Sequence, residues 1–310
     1  MKILVTGGAG FIGSNLVDGL IEKGFNVFVL DDLSTGKKEN ISKKAKFFLC
    51  DIRKRKKTFE IFKKIKPEIV YHLAAQPSVP ISMKEPKKDI EINLIGGLNV
   101  LEASIKNNVK RFIFSSTGGA IYGEVPEGKK AKEDWTPKPE SIYGISKFAF
   151  ENYLNILTKG KMECIILRLS NVFGPRQDPY GEAGVVAIFC NSLLKNKPVK
   201  VYAMKEKGDK GCIRDYIFVK DVVSACILAL NLPEGIYNVG TGTGRKTMDV
   251  LKEIKSNIKS ESQIIFEGKR LGDLERNVLN VEKLKKFNWK PKYSFEEGIK
   301  ETIKWFERKL

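Results

Sequence analysis

The chain has 310 residues, 42% of them hydrophobic, which is enough for a buried core in one large domain and a smaller one. Its formal net charge of +18 allows nucleic-acid binding in principle, but the lysines are spread along the whole length, so we expect solvated surfaces and no nucleic-acid partner. The chain has a single histidine, His72, which argues against a Ser/His/Asp triad and against a cluster of histidine ligands, so we predict no metal site. Its five cysteines are scattered, which argues against a disulfide framework.

The first half of the sequence alternates short apolar runs with amphipathic segments, the pattern of a parallel sheet covered by helices. The runs of strand length are KILVT from Lys2, FNVFVLD from Phe25, AKFFLCD from Ala45, EIVYHLAA from Glu68, RFIFSST from Arg111 and CIILRLS from Cys164. Between them lie the helical segments NLVDGLIEKG, TFEIFKKIK and LNVLEASIKNN. We therefore predict an α/β fold with a doubly wound parallel (Rossmann) sheet.

After about Asn171 the hydrophobic period becomes less regular, which indicates a second, smaller α/β domain. We predict a loop over NVFGPRQDPYGEAG, a helix over VVAIFCNSLLKN and a final amphipathic helix with Phe295, Ile299, Ile303 and Phe306 on one face. The first domain is predicted to span residues 1–175, with a return segment near 213–240, and the second to span 176–310. No apolar run approaches the roughly 18 residues of a membrane span and no signal peptide is recognised, so we expect a cytoplasmic protein with no membrane partner.

A glycine-rich turn follows the first predicted strand. In TGGAGFIG, Gly7, Gly10 and Gly13 are spaced three apart, so the backbone can approach a pyrophosphate that the following helix N-terminus stabilises. Asp31 and Asp32 end the second strand near the distance expected for ribose hydroxyls. Such a triplet can be a purely structural turn, but this context favours a dinucleotide. Because the carboxylate of Asp31 would repel the extra phosphate of NADP, we predict NAD as the cofactor.

A tyrosine and a lysine four residues apart lie in the segment SIYGISK. On a helix, with Ser141 as its predicted N-cap, Tyr143 and Lys147 project from the same face. A free tyrosine has a pKa near 10, and a nearby ammonium group would let Tyr143 act as a base near neutral pH. The spacing alone is common on helix surfaces, but here it follows a glycine turn and the strand-end triplet Ser115 to Thr117. We predict Thr117, Tyr143 and Lys147 as catalytic residues, with the Thr117 hydroxyl bonded to the reacting hydroxyl.

Together these residues resemble the extended short-chain dehydrogenase/reductase family and, within it, the UDP-glucose 4-epimerases. The similar motifs run through essentially the whole chain: TGGAGFIGS, LDDLSTG, the Asp51-Ile52 pair, HLAAQ, INLIGGLNVLEA, FSSTGGAIYGE, YGISK, RLSNVFGPRQ, GCIRDYIFVKDV, GTG and LGDLERNVLN. Several are weak one by one, but their order and spacing are specific.

The resemblance implies two sets of binding residues. The positions similar to NAD contacts, besides the glycine turn, Tyr143 and Lys147, are Phe11, Ile12, Asp31, Asp32, Thr35, Gly36, Asp51, Ile52, Ala74, Ala75, Gln76, Asn93 and Ser115. The positions similar to nucleotide-sugar contacts, besides Thr117 and Tyr143, are Asn171, Gly184, Val185, Tyr202, Arg214, Arg270, Asp273 and Asn277. Arginine side chains suit this second set, because one guanidinium group can donate to two oxygens of a phosphate at once. In this interpretation His72 is a strand-end residue beside the cofactor loop and not a catalyst.

The implied activity is a UDP-glucose 4-epimerase that interconverts UDP-glucose and UDP-galactose through a 4-keto intermediate with retained NAD. In that mechanism Tyr143 removes the proton of the 4-hydroxyl, and the keto sugar turns over before it is reduced on its other face. Related dehydratases and decarboxylases carry an acidic residue where this chain has Ala120, so epimerisation fits better. Glucose-only members have a bulky tyrosine where this chain has Asn277, so we expect UDP-GlcNAc and UDP-GalNAc to be accepted as well.

Two kinds of alternative stay open at this stage. Another NAD-dependent nucleotide-sugar enzyme, such as a decarboxylase, a dehydratase or a 4-ketosugar reductase, would share most of the motifs. A non-catalytic NAD-binding protein or a nucleic-acid-associated protein would not need Thr117, Tyr143 and Lys147 together. The resemblance also implies a homodimer in which the helix bearing Tyr143 and the preceding helix pair with their copies.

Overall fold

The structure is a computed structural model that describes residues 1–180, 184–270 and 272–310. Its strands are β1 (Lys2–Thr6), β2 (Asn26–Asp31), β3 (Lys46–Leu49), β4 (Ile69–His72), β5 (Arg111–Thr117), β6 (Glu163–Leu169), β7 (Asn171–Phe173), β8 (Val199–Tyr202), β9 (Ile213–Phe218), β10 (Gly235–Val239), β11 (Gly244–Lys246), β12 (Ile264–Glu267) and β13 (Arg276–Asn277). Its α-helices are α1 (Phe11–Glu22), α2 (Arg55–Ile65), α3 (Val79–Lys84), α4 (Pro86–Ile90), α5 (Gly97–Lys106), α6 (Gly118–Ile121), α7 (Ile142–Leu157), α8 (Val185–Leu194), α9 (Val219–Leu228), α10 (Thr247–Asn257), α11 (Glu282–Lys285) and α12 (Phe295–Glu307). A 3-10 turn spans Lys38–Asn40, and a π-helical segment, Glu91–Gly96, joins α4 to α5.

Seven strands form one parallel sheet in the order β10-β6-β5-β4-β1-β2-β3. Strands β2 and β3 follow on one side of β1, and β4 lies on its other side. The direction of the strand order therefore reverses between β1 and β4. In the central register Val5 lies between Val29 and Tyr71. This confirms the predicted doubly wound fold, in which ligands bind beyond the carboxyl ends of the strands at the point of reversal.

The core on one side of the sheet consists of apolar strand residues and the inward faces of three helices. Strand residues such as Leu4, Val70 and Phe112 are fully buried against Phe62 of α2 and Phe150 of α7. Strands buried on both faces require nearly continuous apolar runs, which is why the sequence shows no strict alternation there. The core fixes α7 against the sheet and thereby positions its polar residues.

The chain divides into two compact units. The first consists of Met1–Thr117, Ser141–Arg168 and Val223–Tyr237, and the second of Gly118–Glu140, Leu169–Val222 and Asn238–Leu310. The bounds of the two units differ from those of the predicted domains. Residues 118–140 belong to the second unit, and the segment that returns to the first unit is shorter than residues 213–240. The boundary at residue 175 stays a prediction.

The second unit contains two small sheets. One has the order β11-β9-β13, with β7 also paired to β9, and the other pairs β8 with β12 in parallel. The beginning of the predicted loop is therefore strand β7, because its backbone pairs with β9 from Asn171↔Tyr216 to Phe173↔Phe218. Helices α8 and α12 lie where the sequence predicts them, and all four apolar residues of the predicted α12 face are buried. Residues 181–183 of that loop and Leu271 of the motif LGDLERNVLN lie outside the described residues.

The described part of the chain contains neither a membrane-spanning helix nor a cluster of metal-ligating side chains. None of its helices has both the length and the hydropathy to cross a lipid bilayer. Nor do three or more His, Cys, Asp or Glu side chains in it come together as metal ligands would. The five cysteines are free and buried.

Candidate active site

The glycine-rich turn between β1 and α1 brings two backbone segments together. Gly7 has φ of +70°, and a Cβ there would lie 2.6 Å from the backbone nitrogen of Ala74. A Cβ on Gly13 would lie 2.1 Å from the carbonyl oxygen of Gly7. Gly10 is the N-cap of α1, and no N-cap side chain accepts a hydrogen bond from the first N–H groups of the helix. The turn therefore fits the pyrophosphate of a dinucleotide.

Asp31 ends β2 and is held by two backbone N–H groups. Its Oδ2 accepts a hydrogen bond from Ala9 at 2.9 Å and its Oδ1 accepts one from Leu33 at 2.8 Å. Burial raises the pKa of this carboxyl, and the two hydrogen bonds oppose that rise. A Cβ on Gly36 would lie 2.9 Å from Oδ1, so only glycine leaves room beside the carboxylate. Asp32 is exposed and accepts from Ser34.

Gln76 and Asn93 form a buried pair that Asp89 joins. The backbone N–H of Gln76 donates to Oδ1 of Asn93 at 2.8 Å, and Oδ2 of Asp89 accepts from the side-chain amides of Gln76 at 2.9 Å and Asn93 at 3.0 Å. The amide of Asn93 also donates to Oγ of Ser146 at 3.3 Å, and that hydroxyl donates to the carbonyl of Tyr143. These contacts connect predicted cofactor residues to α7.

The other predicted cofactor residues lie on separate elements of the first unit. Burial opposes ionisation of Asp51, but hydrogen bonds from Arg53, including one of 2.7 Å, bring its pKa below the ordinary value. The remaining positions are Phe11 and Ile12 in the first turn of α1, exposed Thr35 after β2, buried Ile52 after Asp51, Ala74 and Ala75 after β4, and Ser115 in β5.

Tyr143 and Lys147 lie on one face of α7, next to the end of β5. The Lys147 ammonium nitrogen is 6.0 Å from the centroid of the Tyr143 ring and donates to the carbonyl oxygen of Ser115 at 2.8 Å. Ser141 is the N-cap of the helix, and its Oγ accepts from the N–H of Gly144 at 3.2 Å. Thr117, the last residue of β5, is buried. The first unit thus places a phenol, an ammonium group and a hydroxyl at the end of β5 and the start of α7.

Lys147 is buried, and its surroundings determine when it is charged. Burial lowers its pKa to about 8, and the carboxylates of Asp89 and Glu151 oppose this by favouring the charged form. The ammonium nitrogen also lies 4.6 Å from the centroid of the Phe114 ring. Lys147 is therefore mainly a cation at neutral pH and loses its proton within the range of an ordinary assay.

His72 ends β4 and is packed among aromatic rings. Its Nδ1 lies 2.7 Å from Oγ1 of Thr6, and its ring contacts Phe112, Phe114 and Phe150. Burial lowers its pKa to about 3, so the ring is neutral at physiological pH. His72 therefore packs at the end of a strand, next to the residue that precedes the glycine turn.

In the second unit, three predicted nucleotide residues form one cluster. The guanidinium carbon of Arg270 lies 4.2 Å from the centroid of the Tyr202 ring, and Nε of Arg270 donates to Oδ2 of Asp273 at 2.8 Å. Arg270 is half-exposed, so its remaining N–H groups can reach a ligand oxygen. An aromatic ring, a guanidinium group and a carboxylate are suited to a base, a phosphate and a ribose.

Arg214 and Asn277 lie next to this cluster on paired strands, β9 and β13. The Arg214 guanidinium donates to the carbonyl oxygens of Ile213 at 3.0 Å and Leu274 at 2.6 Å. Asn277 is buried, and neither its amide nitrogen nor its amide oxygen has a hydrogen-bond partner among the described residues. The other predicted positions are Asn171 at the start of β7, and Gly184 and Val185 at the start of α8.

A buried ion pair near Lys147 was not predicted from the sequence. Glu151 of α7 and Arg168 of β6 are both buried and are joined by a contact of 2.6 Å. Two signals were present in the sequence: Glu151 follows Lys147 by four residues, and Arg168 is a charge inside the apolar run CIILRLS. Asp89 gave no such signal, because it lies in a charged segment typical of helix surfaces.

Comparisons with known proteins identify the family of the chain. Residues 3–240 match the model of the NAD dependent epimerase/dehydratase family. A UDP-glucose 4-epimerase of Mycolicibacterium smegmatis is 39% identical over 318 residues, which cover 100% of this chain and 99% of that protein. The structure is similar to that of the UDP-glucose 4-epimerase of Thermus thermophilus in complex with NAD (TM-score 0.98, 49% identity) and to Thermotoga maritima UDP-glucose 4-epimerase with UDP-glucose (TM-score 0.93, 45% identity), each covering 100% of both chains.

Proposed function

This chain belongs to the NAD dependent epimerase/dehydratase family, and on that premise we propose that it is a UDP-glucose 4-epimerase. It interconverts UDP-glucose and UDP-galactose by inverting the configuration at carbon 4 of the sugar. The observation that carries the proposal is the placement of the Lys147 ammonium group 6.0 Å from the Tyr143 ring and bonded to β5, the strand that ends at Thr117, in the unit that holds the glycine turn.

In the proposed reaction, the residues of the first unit move one proton and hold the groups that react. The residues that would hold NAD are the glycine turn, Asp31, the Gln76–Asn93 pair and Lys147. When bound, NAD supplies reversible hydride acceptance at carbon 4. Tyr143, kept anionic by Lys147, accepts the proton of the 4-hydroxyl and later returns it, while Thr117 hydrogen-bonds the same oxygen.

The residues of the second unit are proposed to bind the uridine diphosphate. Arg270 contributes a guanidinium group for the phosphates, Tyr202 a ring for the base and Asp273 a carboxylate for the ribose, and Arg214 adds a second cation from β9. Asn171, Gly184 and Val185 complete this set of proposed contacts.

A product assay tests the proposal. Purified protein incubated with UDP-glucose should form UDP-galactose at unchanged mass, and denaturation of the same protein should release NAD that mass spectrometry detects. A dehydratase would instead yield a product lighter by one water, a decarboxylase would act on a UDP-uronate, and a reductase would consume added reduced cofactor. A protein that releases NAD but changes no nucleotide sugar would be a non-catalytic binder, and the proposal would be wrong.

The small residue at position 277 supports a wider sugar range. Asn277 is buried on β13 in register with Arg214, and its amide has no hydrogen-bond partner among the described residues, so it has donor and acceptor capacity for an added acetamido group. We therefore include UDP-GlcNAc and UDP-GalNAc among the proposed substrates. A kcat on UDP-GlcNAc and UDP-GalNAc within about tenfold of that on UDP-glucose and UDP-galactose would support this. A tenfold difference in rate corresponds to about 1.4 kcal/mol. Complete inactivity on the acetylated pair would end it.

A homodimer and a cytoplasmic location also belong to the proposal. Helix α7 carries a stripe of exposed apolar side chains, Ile145, Tyr153 and Ile156, the last of which is 74% exposed. Ile90 and Ile95, on the preceding helical segments, are exposed as well. A second copy of the chain would cover these residues. Sedimentation should give a dimer for the wild type and a monomer for Ile156→Glu, and a monomeric wild type would contradict the dimer.

A further inference from the structure

Two of three α7 residues spaced four apart are hydrogen-bonded to consecutive residues of β5. Tyr143, Lys147 and Glu151 follow one another along the helix face. The ammonium group of Lys147 donates to the carbonyl of Ser115 at 2.8 Å, and Oγ of Ser116 donates to Oε1 of Glu151 at 2.5 Å. Two successive strand residues thus hold two successive turns of the helix, and the next strand residue is Thr117.

Arg168 of β6 completes the contact from the neighbouring strand. Its Nε lies 3.1 Å and 3.2 Å from the two carboxylate oxygens of Glu151, and its Nη2 lies 2.6 Å from Oε2. Ser116, Glu151 and Arg168 are each at most 3% exposed. Apolar residues of similar volume usually stabilise a core as well as a buried ion pair does, so stability is a weak reason for charges at this place.

We propose that Glu151 and Arg168 are positioning residues, which hold the Tyr143–Lys147 turns of α7 in register with the end of β5. This inference rests on the proposed function, because it concerns the same proton transfer. Neither side chain reaches the reacting atoms, so both act through Tyr143 and Lys147.

The charges that face Lys147 come from several elements. Asp89 of α4 and Glu151 of α7 favour its charged form, whereas burial disfavours it. His72 of β4 is neutral, since burial holds its pKa at about 3. Arg168 of β6 is a cation paired with Glu151, and its charge opposes the effect of that carboxylate on Lys147. Removal of both members of the pair therefore takes away one charge of each sign and leaves the carboxylate of Asp89 to favour the charged form of Lys147.

The same two strands carry a matched pair at their other ends. Arg111 begins β5 and Glu163 begins β6, and their side chains are 2.5 Å apart. Since β5 has seven residues, this pair lies roughly 20 Å along the strand from Thr117. It has the same residue types on the same strands but no contact with the Tyr143–Lys147 turns.

The test compares two double variants with the wild type. In Glu151→Leu/Arg168→Met, kcat should fall about tenfold to a hundredfold, because a misplacement of about 1 Å has such an effect. KM should stay within about twofold, NAD should be retained, and the alkaline limb of the pH profile should stay in place, because the variant loses one charge of each sign. Arg111→Met/Glu163→Leu should keep the wild-type kcat and alkaline limb, whatever its effect on the melting temperature.

Each outcome decides the inference. If Glu151→Leu/Arg168→Met folds, retains NAD and keeps the wild-type kcat, the pair serves folding only and the inference is overturned. If that variant does not fold, Glu151→Asp decides: it keeps the charge but shortens the side chain, so kcat should fall about tenfold with the alkaline limb unmoved, and a wild-type kcat overturns the inference. A wild type that converts no UDP-hexose would overturn the proposed function and this inference together.

Discussion

The two compact units hold their polar side chains in different ways. In the first unit Lys147 is only 4% exposed, and its ammonium group is hydrogen-bonded to a strand carbonyl before any ligand arrives. In the second unit Arg270 is 42% exposed and is held by one carboxylate and a ring face. A buried, immobilised group suits a proton transfer between fixed atoms, whereas a half-exposed guanidinium group can close on a charged ligand. Lys147, which is proposed for the chemistry, is therefore much more buried than Arg270, which is proposed for binding.

Arg214 and Asn277 qualify this contrast. Arg214 donates to backbone carbonyls of its own unit, and Asn277 is as buried as Lys147. The second unit therefore also contains preset polar groups, and they lie on the paired strands β9 and β13. The residues that differ most from the first unit lie outside these strands, on loops and at a strand end.

The largest expected effect tests the chemistry of the first unit. Tyr143→Phe should lower kcat about a thousandfold, because it removes the group proposed to carry the proton. KM for UDP-glucose and binding of UDP in calorimetry should stay within about twofold, because the nucleotide residues are in the second unit. Tyr153→Phe is the matched control on the exposed face of the same helix and should keep the wild-type kcat. A Tyr143→Phe variant with kcat within tenfold of the wild type would exclude this tyrosine from proton transfer.

The second expected effect tests binding by the second unit. Arg270→Ala should raise KM for UDP-glucose about tenfold to a hundredfold, as expected for loss of a charged hydrogen bond, with kcat within about threefold. Arg245→Ala is the control, since Arg245 also stacks on a ring, that of Phe295, at 4.4 Å and belongs to no predicted site. Steady-state kinetics of both variants provide the comparison. A lower kcat with an unchanged KM would contradict the assignment of Arg270 to substrate binding.

The third effect depends on the titration of Lys147. Because burial lowers its pKa to about 8, the charged form predominates below that pH and is lost above it. As the pH rises through 8, Tyr143 loses its cationic neighbour, so kcat should fall about tenfold per pH unit. KM for the UDP-sugar should stay nearly constant from pH 7 to 9, because arginine side chains keep their charge.

Lys147→Arg is the control for this assignment. A guanidinium group stays protonated over the whole range, so the limb near pH 8 should disappear even if kcat at pH 7 is lower than in the wild type. If the alkaline limb persists in Lys147→Arg, it belongs to another group, and the proposal that titration of Lys147 controls kcat would be wrong.

The sequence predicts the first unit better than the second for a physical reason. The glycine turn, Asp31 and the Tyr143–Lys147 spacing are local patterns, set by one turn, one strand end and one helix. The clustering of Tyr202, Arg270 and Asp273 depends on where loops and strands far apart in the chain meet, and it was expected only from the family resemblance. The short strand β7 was predicted as a loop, because three residues carry too little periodicity to indicate a strand.

The buried carboxylates were also not predicted. Asp89 lies in a charged segment typical of solvated helix surfaces, and the four-residue spacing of Glu151 from Lys147 does not by itself indicate burial. Both side chains are buried, and both carboxylates favour the charged form of Lys147. Their burial depends on the helix packing against the sheet and not on the local pattern. The structure therefore adds the charges that surround the predicted catalytic pair.

The smallest effect compares one helix cap in each unit. Oγ of Ser141 caps α7, and Oγ of Ser294 caps α12 by accepting from the N–H of Glu297 at 3.1 Å. Either serine replaced by alanine should cost about 1 kcal/mol of unfolding free energy, measured from urea midpoints. Ser141→Ala should also lower kcat, by at most about fivefold, because Tyr143 lies in the first turn of the helix that frays. Ser294→Ala should leave kcat unchanged.

A restoring variant separates the two consequences of the Ser141 change. Ser141→Asp keeps an acceptor for the N–H of Gly144, so both the lost stability and the lost kcat should return. If Ser294→Ala lowers kcat as much as Ser141→Ala does, the loss follows overall stability and not the position of Tyr143. In that case the first turn of α7 would have no special part in placing the phenol, and the contrast between the units would rest on burial alone.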